Sequence, residues 1–223
     1  DSPTLLWTIK SLNGDMAMVG DTLFGIEEDT INVYVTANGG PPALQSSLPT
    51  RKYDLQTMVV RGQYLYLNSD SDLLTVNISN PLEPSVVRWP DLLDPTLWAS
   101  ANTSSLSAGD LSADSLLVFH NGYRLYFYDV SSGAEPRPLG YYAPPIATNS
   151  LAYQDGHLYF ANPYQHTIVD ISNPSAPQKI EKVALAQVES IAPVGRYVAF
   201  VDSRPQLTVI DSQDWTVAGR LQN

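Results

Sequence analysis

Cysteine is absent from the 223 residues, so neither a disulfide nor a thiolate metal site can hold this chain together. Basic residues are scarce: 12 Lys and Arg stand against 23 Asp and Glu, for a formal net charge of −11. A surface of that sign does not neutralise phosphates, so nucleic acid is not an expected partner. It favours solubility and cationic partners instead. No apolar run approaches the roughly 18 residues that suggest a membrane span, so direct membrane insertion is not expected. No signal-peptide pattern is visible within these residues, and a start at "DSPTLLW" is what a mature or trimmed product is expected to show. Helical periodicity is missing over any window of about 11 residues or more. His120, His157 and His166 lack zinc-site spacing, no Gly-x-Ser-x-Gly elbow occurs, and "NGGPP" leads into no helix that could cradle a phosphate.

What the chain does contain is a repeat. Hydrophobic residues make up 43%, enough for a core. Five segments align: "INVYVTANGGPP", "LLTVNISNPLEP", "RLYFYDVSSGAEP", "HTIVDISNPSAP" and "QLTVIDSQDWTV". A polar residue closes each apolar run, at Thr36, Asn77, Asp129, Asp170 and Asp211, with gaps of 41, 52, 41 and 41 residues. The long gap is the same unit plus 11 residues, the surplus lying in "PDLLDPTLWASANTSS". A second short run precedes each segment ("TLFGIEED", "YLYLNSD", "LLVFHNG", "HLYFANP", "YVAFVDS"), and further runs flank most pairs. All are β-branched or aromatic and bounded by turn residues, as strands are. Four strands in about 41 residues is the spacing of a propeller blade. The expected fold is therefore all-β, a β-propeller of about five four-stranded blades forming a single domain over 1–223. At the closing positions a short carboxylate or amide is expected to accept from backbone N–H groups of the next turn. Prolines such as Pro174 and Pro177 then stop the ladder from extending.

"HTIVDISNPSAP" and "LLTVNISNPLEP" resemble the LVIVD repeat, found in β-propellers of bacterial and archaeal surface or secreted proteins. The resemblance implies an extracellular, cell-surface or periplasmic location. It implies binding more than chemistry.

Candidate sites follow from blade geometry. Loops at one end of a rigid scaffold are where binding usually resides. The enlarged connection at 90–105 marks one face as the docking face for a protein or glycan, with Trp98, Leu92, Leu93 and Leu97 as contacts. Stepping back 21 residues from the closing positions gives Asp15, Gln56, Ala108, Asn149 and Ser190 as starts of the innermost strands. Asp15, Asp54 and Glu189 are then candidates for an acidic channel mouth. Paired carboxylates there also permit a second reading, a glycosidase-type propeller enzyme, and a third is a structural spacer in a longer surface protein. "NSDSD" supplies Asn68, Asp70 and Asp72, oxygen ligands of the kind Ca²⁺ accepts, without the Gly and distal Glu of a calcium loop. No cofactor is expected beyond that weak Ca²⁺ candidate.

Overall fold

A computed structural model describes residues 15–36, 40–50, 55, 57–68, 73–87, 116–120, 124–143, 150–161, 166–180, 188–202 and 206–221. Every regular element among them is a strand, and consecutive strands pair antiparallel in sheets. The first sheet is β1 (Met16–Val19), β2 (Thr22–Glu27), β3 (Thr30–Val35) and β4 (Ala43–Pro49). The second is β5 (Thr57–Arg61), β6 (Tyr64–Asn68), β7 (Leu73–Asn77) and β8 (Ser85–Val87). The third shows β9 (Leu116–His120), β10 (Leu125–Asp129) and β11 (Arg137–Tyr142); the innermost strand expected before β9 lies outside the described residues. The fourth is β12 (Ser150–Gln154), β13 (His157–Ala161), β14 (His166–Asp170) and β15 (Gln178–Ile180). The fifth is β16 (Val188–Val194), β17 (Tyr197–Asp202), β18 (Leu207–Asp211) and β19 (Thr216–Leu221). The strand–turn–strand reading of the sequence is thus the observed one.

The chain divides into two compact units, Asp1–Leu106 with Ser132–Pro136, and Ser107–Ser131 with Arg137–Asn223. In the first unit Phe24, Ile26, Ile31 and Val33 pack against Met58, Leu65, Leu67, Leu74 and Val76 of the second sheet. In the second, Ala152, Tyr159 and Ile168 pack against Val188, Ile191, Val198, Phe200 and Ile210 of the last sheet. Middle strands with apolar residues on both faces, such as "LLTV" in β7, make this possible, because each face meets a different layer. Each fully buried aliphatic or aromatic side chain contributes about 1.5–3 kcal/mol.

One irregularity recurs. The ladder between third and fourth strands shifts register at Val33/Tyr34, at Phe127/Tyr128 and at Val209/Ile210. These are equivalent positions, and a bulge there adds twist to the outer strand. Beside the second bulge, a Cβ on Gly140 would lie 2.6 Å from the Pro174 carbonyl oxygen, so only glycine fits beneath that turn.

Candidate functional surfaces

The closing residues behave as their chemistry predicts. Asn77 Oδ1 accepts from the Ser79 N–H at 2.8 Å, Asp129 Oδ1 from Ser131 at 2.9 Å, Asp170 Oδ1 from Ser172 at 2.8 Å and Asp211 Oδ1 from Gln213 at 3.0 Å. These are Asx turns, one in each of the second to fifth sheets. In "SNPSAP" a second follows at once: Asn173 Oδ1 accepts from Ser175 at 3.2 Å, and the ladder resumes only at Gln178. In the second, fourth and fifth sheets the residue after the closing position bonds back to the turn between the first two strands: Ile78 to Gln63, Ile171 to Gly156, Ser212 to Arg196. Thr36 makes that second bond, to Asp21 at 3.0 Å. The counterpart of Asn77 in the first sheet is therefore Val35 rather than Thr36, which explains why "VTANGGPP" departs from the pattern.

These bonds hold the carboxylates in their charged form. The Ser131 hydroxyl and N–H, joined by Arg137 at 2.9 Å, lower Asp129 to about 2. The Ser172 N–H lowers Asp170. Asp211 is lowered first by Arg196, whose Nε lies 2.7 Å from Oδ2, and then by Gln213.

Of the expected mouth acids, Asp15 directly precedes β1. Its Oδ1 accepts from Met16 N at 2.8 Å and its Oδ2 from Met58 N at 3.0 Å, so the carboxylate ties the start of β1 to β5 of the next sheet. Glu189 is exposed on β16, at a bulge between Val188 and Ser190. The strand register makes Thr57, Ser150 and Ser190 the counterparts of Asp15, one residue later than Gln56 and Asn149. Asn68 ends β6. Asp54, Asp70, Asp72, Leu92, Leu93, Leu97 and Trp98 lie outside the described residues. Among the described residues no three His, Asp or Glu side chains converge as metal ligands.

A set of contacts that sequence reasoning missed lies four residues beyond two of the closing acids. Gly133, four after Asp129, offers its carbonyl to the Tyr66 hydroxyl at 2.6 Å and lies against the Tyr64 ring. Trp215, four after Asp211, packs on His157 at 5.2 Å and Tyr159 at 6.2 Å between ring centroids. Both residues take positive φ, +70° and +63°, which aims the turn at the preceding layer. Burial pushes the Tyr66 phenol up to about 12, with Tyr64 adding to the shift and Arg61 opposing it. Burial likewise raises Tyr128 and Tyr159. The sequence clue was the fixed distance from each closing acid.

The LVIVD repeat matches residues 54–88 and 147–184, the stretches that contain "LLTVNISNPLEP" and "HTIVDISNPSAP". No curated protein matches the sequence. Solved structures share the fold. The periplasmic gluconolactonase PpgL of Pseudomonas aeruginosa superposes with a TM-score of 0.65 at 14% identity, over 93% of this chain and 69% of that one. BamB from Moraxella catarrhalis gives 0.61 at 12% identity, over 96% of this chain and 64% of BamB. A chain of the nidogen/laminin complex gives 0.53 at 10% identity, over 94% and 79%. This chain thus spans less than two thirds of BamB's length. Such likeness carries the fold alone: an all-β propeller, with five sheets as five blades. Similar structures include a lactonase as well as a protein solved in a complex.

Proposed function

We propose that this β-propeller with LVIVD repeats is a non-catalytic binding or assembly module that acts outside the cytoplasm, at a cell surface or in a periplasm. The observation that carries the reading is how the repeat uses its acids. Asp129, Asp170 and Asp211 are held charged by turn N–H groups and arginines. A general acid at neutral pH needs a raised carboxyl, and a good general base needs one near the working pH; these are shifted the other way. Asp15, a mouth candidate, has both oxygens engaged by backbone N–H groups. The partner is a protein or glycan that docks at the 90–105 connection through Trp98, Leu92, Leu93 and Leu97. The five blades form one domain.

Two measurements test this. Hydrolysis of gluconolactone and of aryl glycosides by the purified chain is expected to match buffer alone. Turnover abolished by Asp15→Asn or Glu189→Gln, in a chain that still folds, would establish the enzyme reading instead. For the partner, a glycan array and a surface-protein extract are probed with wild type and Trp98→Ala. Loss of a bound component, with an unchanged melting temperature, is the expected result. A strongly destabilised variant with unaltered binding assigns Trp98 to architecture.

A further inference from the structure

Across the ladder from each closing residue of the second to fifth sheets stands one residue of the neighbouring strand. Tyr64 is paired with Asn77, Leu116 with Asp129, His157 with Asp170 and Tyr197 with Asp211. Of these partner types only histidine ordinarily changes charge between about pH 5 and 8. The closing acids also differ in what neutralises them. Asp129 holds Arg137 at 2.9 Å and Asp211 holds Arg196 at 2.7 Å, cations at any working pH. Among the described residues, the cation that bears on Asp170 is His157 alone. Opposite the neutral Tyr64, the closing residue is the neutral Asn77.

A second contact falls on the same imidazole. The half-buried Trp215 ring lies 5.2 Å from His157 between centroids, edge to face at 69°. A cation within about 6 Å of an indole centroid is attracted to its π-face. Trp215 holds that place at φ +63°, a left-handed backbone that a bulky residue keeps only when its surroundings fix it. The equivalent turn of the third sheet uses Gly133 at φ +70°, lying against Tyr64. The turn that meets the phenol is thus glycine, and the turn that meets the imidazole carries an indole.

The other titratable groups around this contact are already engaged. Tyr159, 6.5 Å from His157, is kept neutral by burial. Asp155, in the turn before β13, accepts from Gln154. On the turn that carries Trp215, Asp211 is paired with Arg196, and Asp214 accepts from the Thr216 N–H and hydroxyl. We infer that His157 is a proton-operated clasp: its imidazolium, between the Asp170 carboxylate and the Trp215 indole, tightens the turn before β19 onto the fourth sheet in mild acid. Both attractions need the charge on His157, so they are present on the acid side of histidine's range and lost as the proton leaves. Asp170, lowered by Ser172, stays ionised throughout that range.

Nuclear magnetic resonance of the wild-type full chain between about pH 5 and 8, the histidine range, follows the His157 ring protons and the Trp215 indole N–H. Both signals are expected to move with one shared midpoint. An indole signal that ignores the His157 transition overturns the proposal. Urea unfolding at the two ends of that range then compares wild type, His157→Gln, Trp215→Leu and the double variant. The coupling between the two positions should favour folding about threefold more at the acid end than at the alkaline end. Asp170→Asn keeps the turn acceptor, as Asn77 does, and should shrink that difference. Equal coupling at both ends, a larger coupling at the alkaline end, or an Asp170→Asn chain with the wild-type pH response each overturns the clasp.

Discussion

Replacing Gly133 with alanine probes the contact by which a turn grips the layer before it. The backbone there has φ +70°, where alanine costs about 1 kcal/mol relative to glycine. The new Cβ would lie 2.4 Å from Tyr64 Cε2 and 2.9 Å from Cδ2, so the ring must swing or the turn must lift. Overpacking of this kind costs about 1–3 kcal/mol. The sum for Gly133→Ala is about 2–4 kcal/mol. Tyr66→Phe removes the hydroxyl that donates to Gly133 at 2.6 Å from a fully buried ring, a loss of about 1–2 kcal/mol. If the turn lifts, the phenol has already lost its acceptor in Gly133→Ala. The double variant should then be no worse than Gly133→Ala alone to within about 0.5 kcal/mol, a coupling of about 1 kcal/mol or more. Urea unfolding followed by tryptophan fluorescence reads all three values, provided the m-value holds constant. Strict additivity, or a Gly133→Ala cost below about 1 kcal/mol, would refute the gripping turn.

Three further outcomes are expected. Asp129, at about 2, and Asp170 and Asp211, also lowered, contribute stability that is complete above the ordinary aspartate value of about 3.9 and lost as pH falls through their folded values. Asp129→Asn with Asp170→Asn keeps an Oδ1 acceptor, as Asn77 does in the second sheet, so it should flatten acid unfolding between about pH 4 and pH 2 while leaving the neutral-pH midpoint nearly unchanged. At the alkaline end the sign reverses: the stability tied to neutral Tyr66 is complete below about pH 10 and falls as pH rises toward 12. Phenolate absorbance should therefore show a late group of tyrosines that ionise with unfolding, and Tyr66→Phe should remove one of them. Trp215→Ala, which strips the half-buried ring from His157 and Tyr159, should cost about 2 kcal/mol in the same urea assay.

Much of the fold was legible because its signals are local. Alternation in "HLYFA" and "HTIVD", and an Asp or Asn followed by turn residues, involve neighbours within a few positions, and the strands and Asx turns lie where those signals put them. The misreading at Thr36 has the same origin. A period copied from one unit to another cannot detect a one-residue difference in turn length, and only the bond from Thr36 to Asp21 reveals it. The candidate acids were found by stepping through the period. Their duties were not legible, since the Asp15 carboxylate is spent on Met58, 43 residues away.

The amino-acid order by itself determined the strand count per unit, the turn chemistry and the absence of thiolate chemistry, because each depends on residue type and short spacing. Only tertiary structure decided which face of each strand is covered. Tyr66 reaches Gly133 across 67 residues, and Trp215 reaches His157 across a sheet boundary. A β-strand with apolar residues on both sides reads the same whether one layer covers it or two. "YVAFV" in the last sheet and "HLYFA" in the fourth are both strands by pattern, yet only the fourth sheet has its Tyr159 face buried. Burial is a property of what packs against a face, and no local period contains that information.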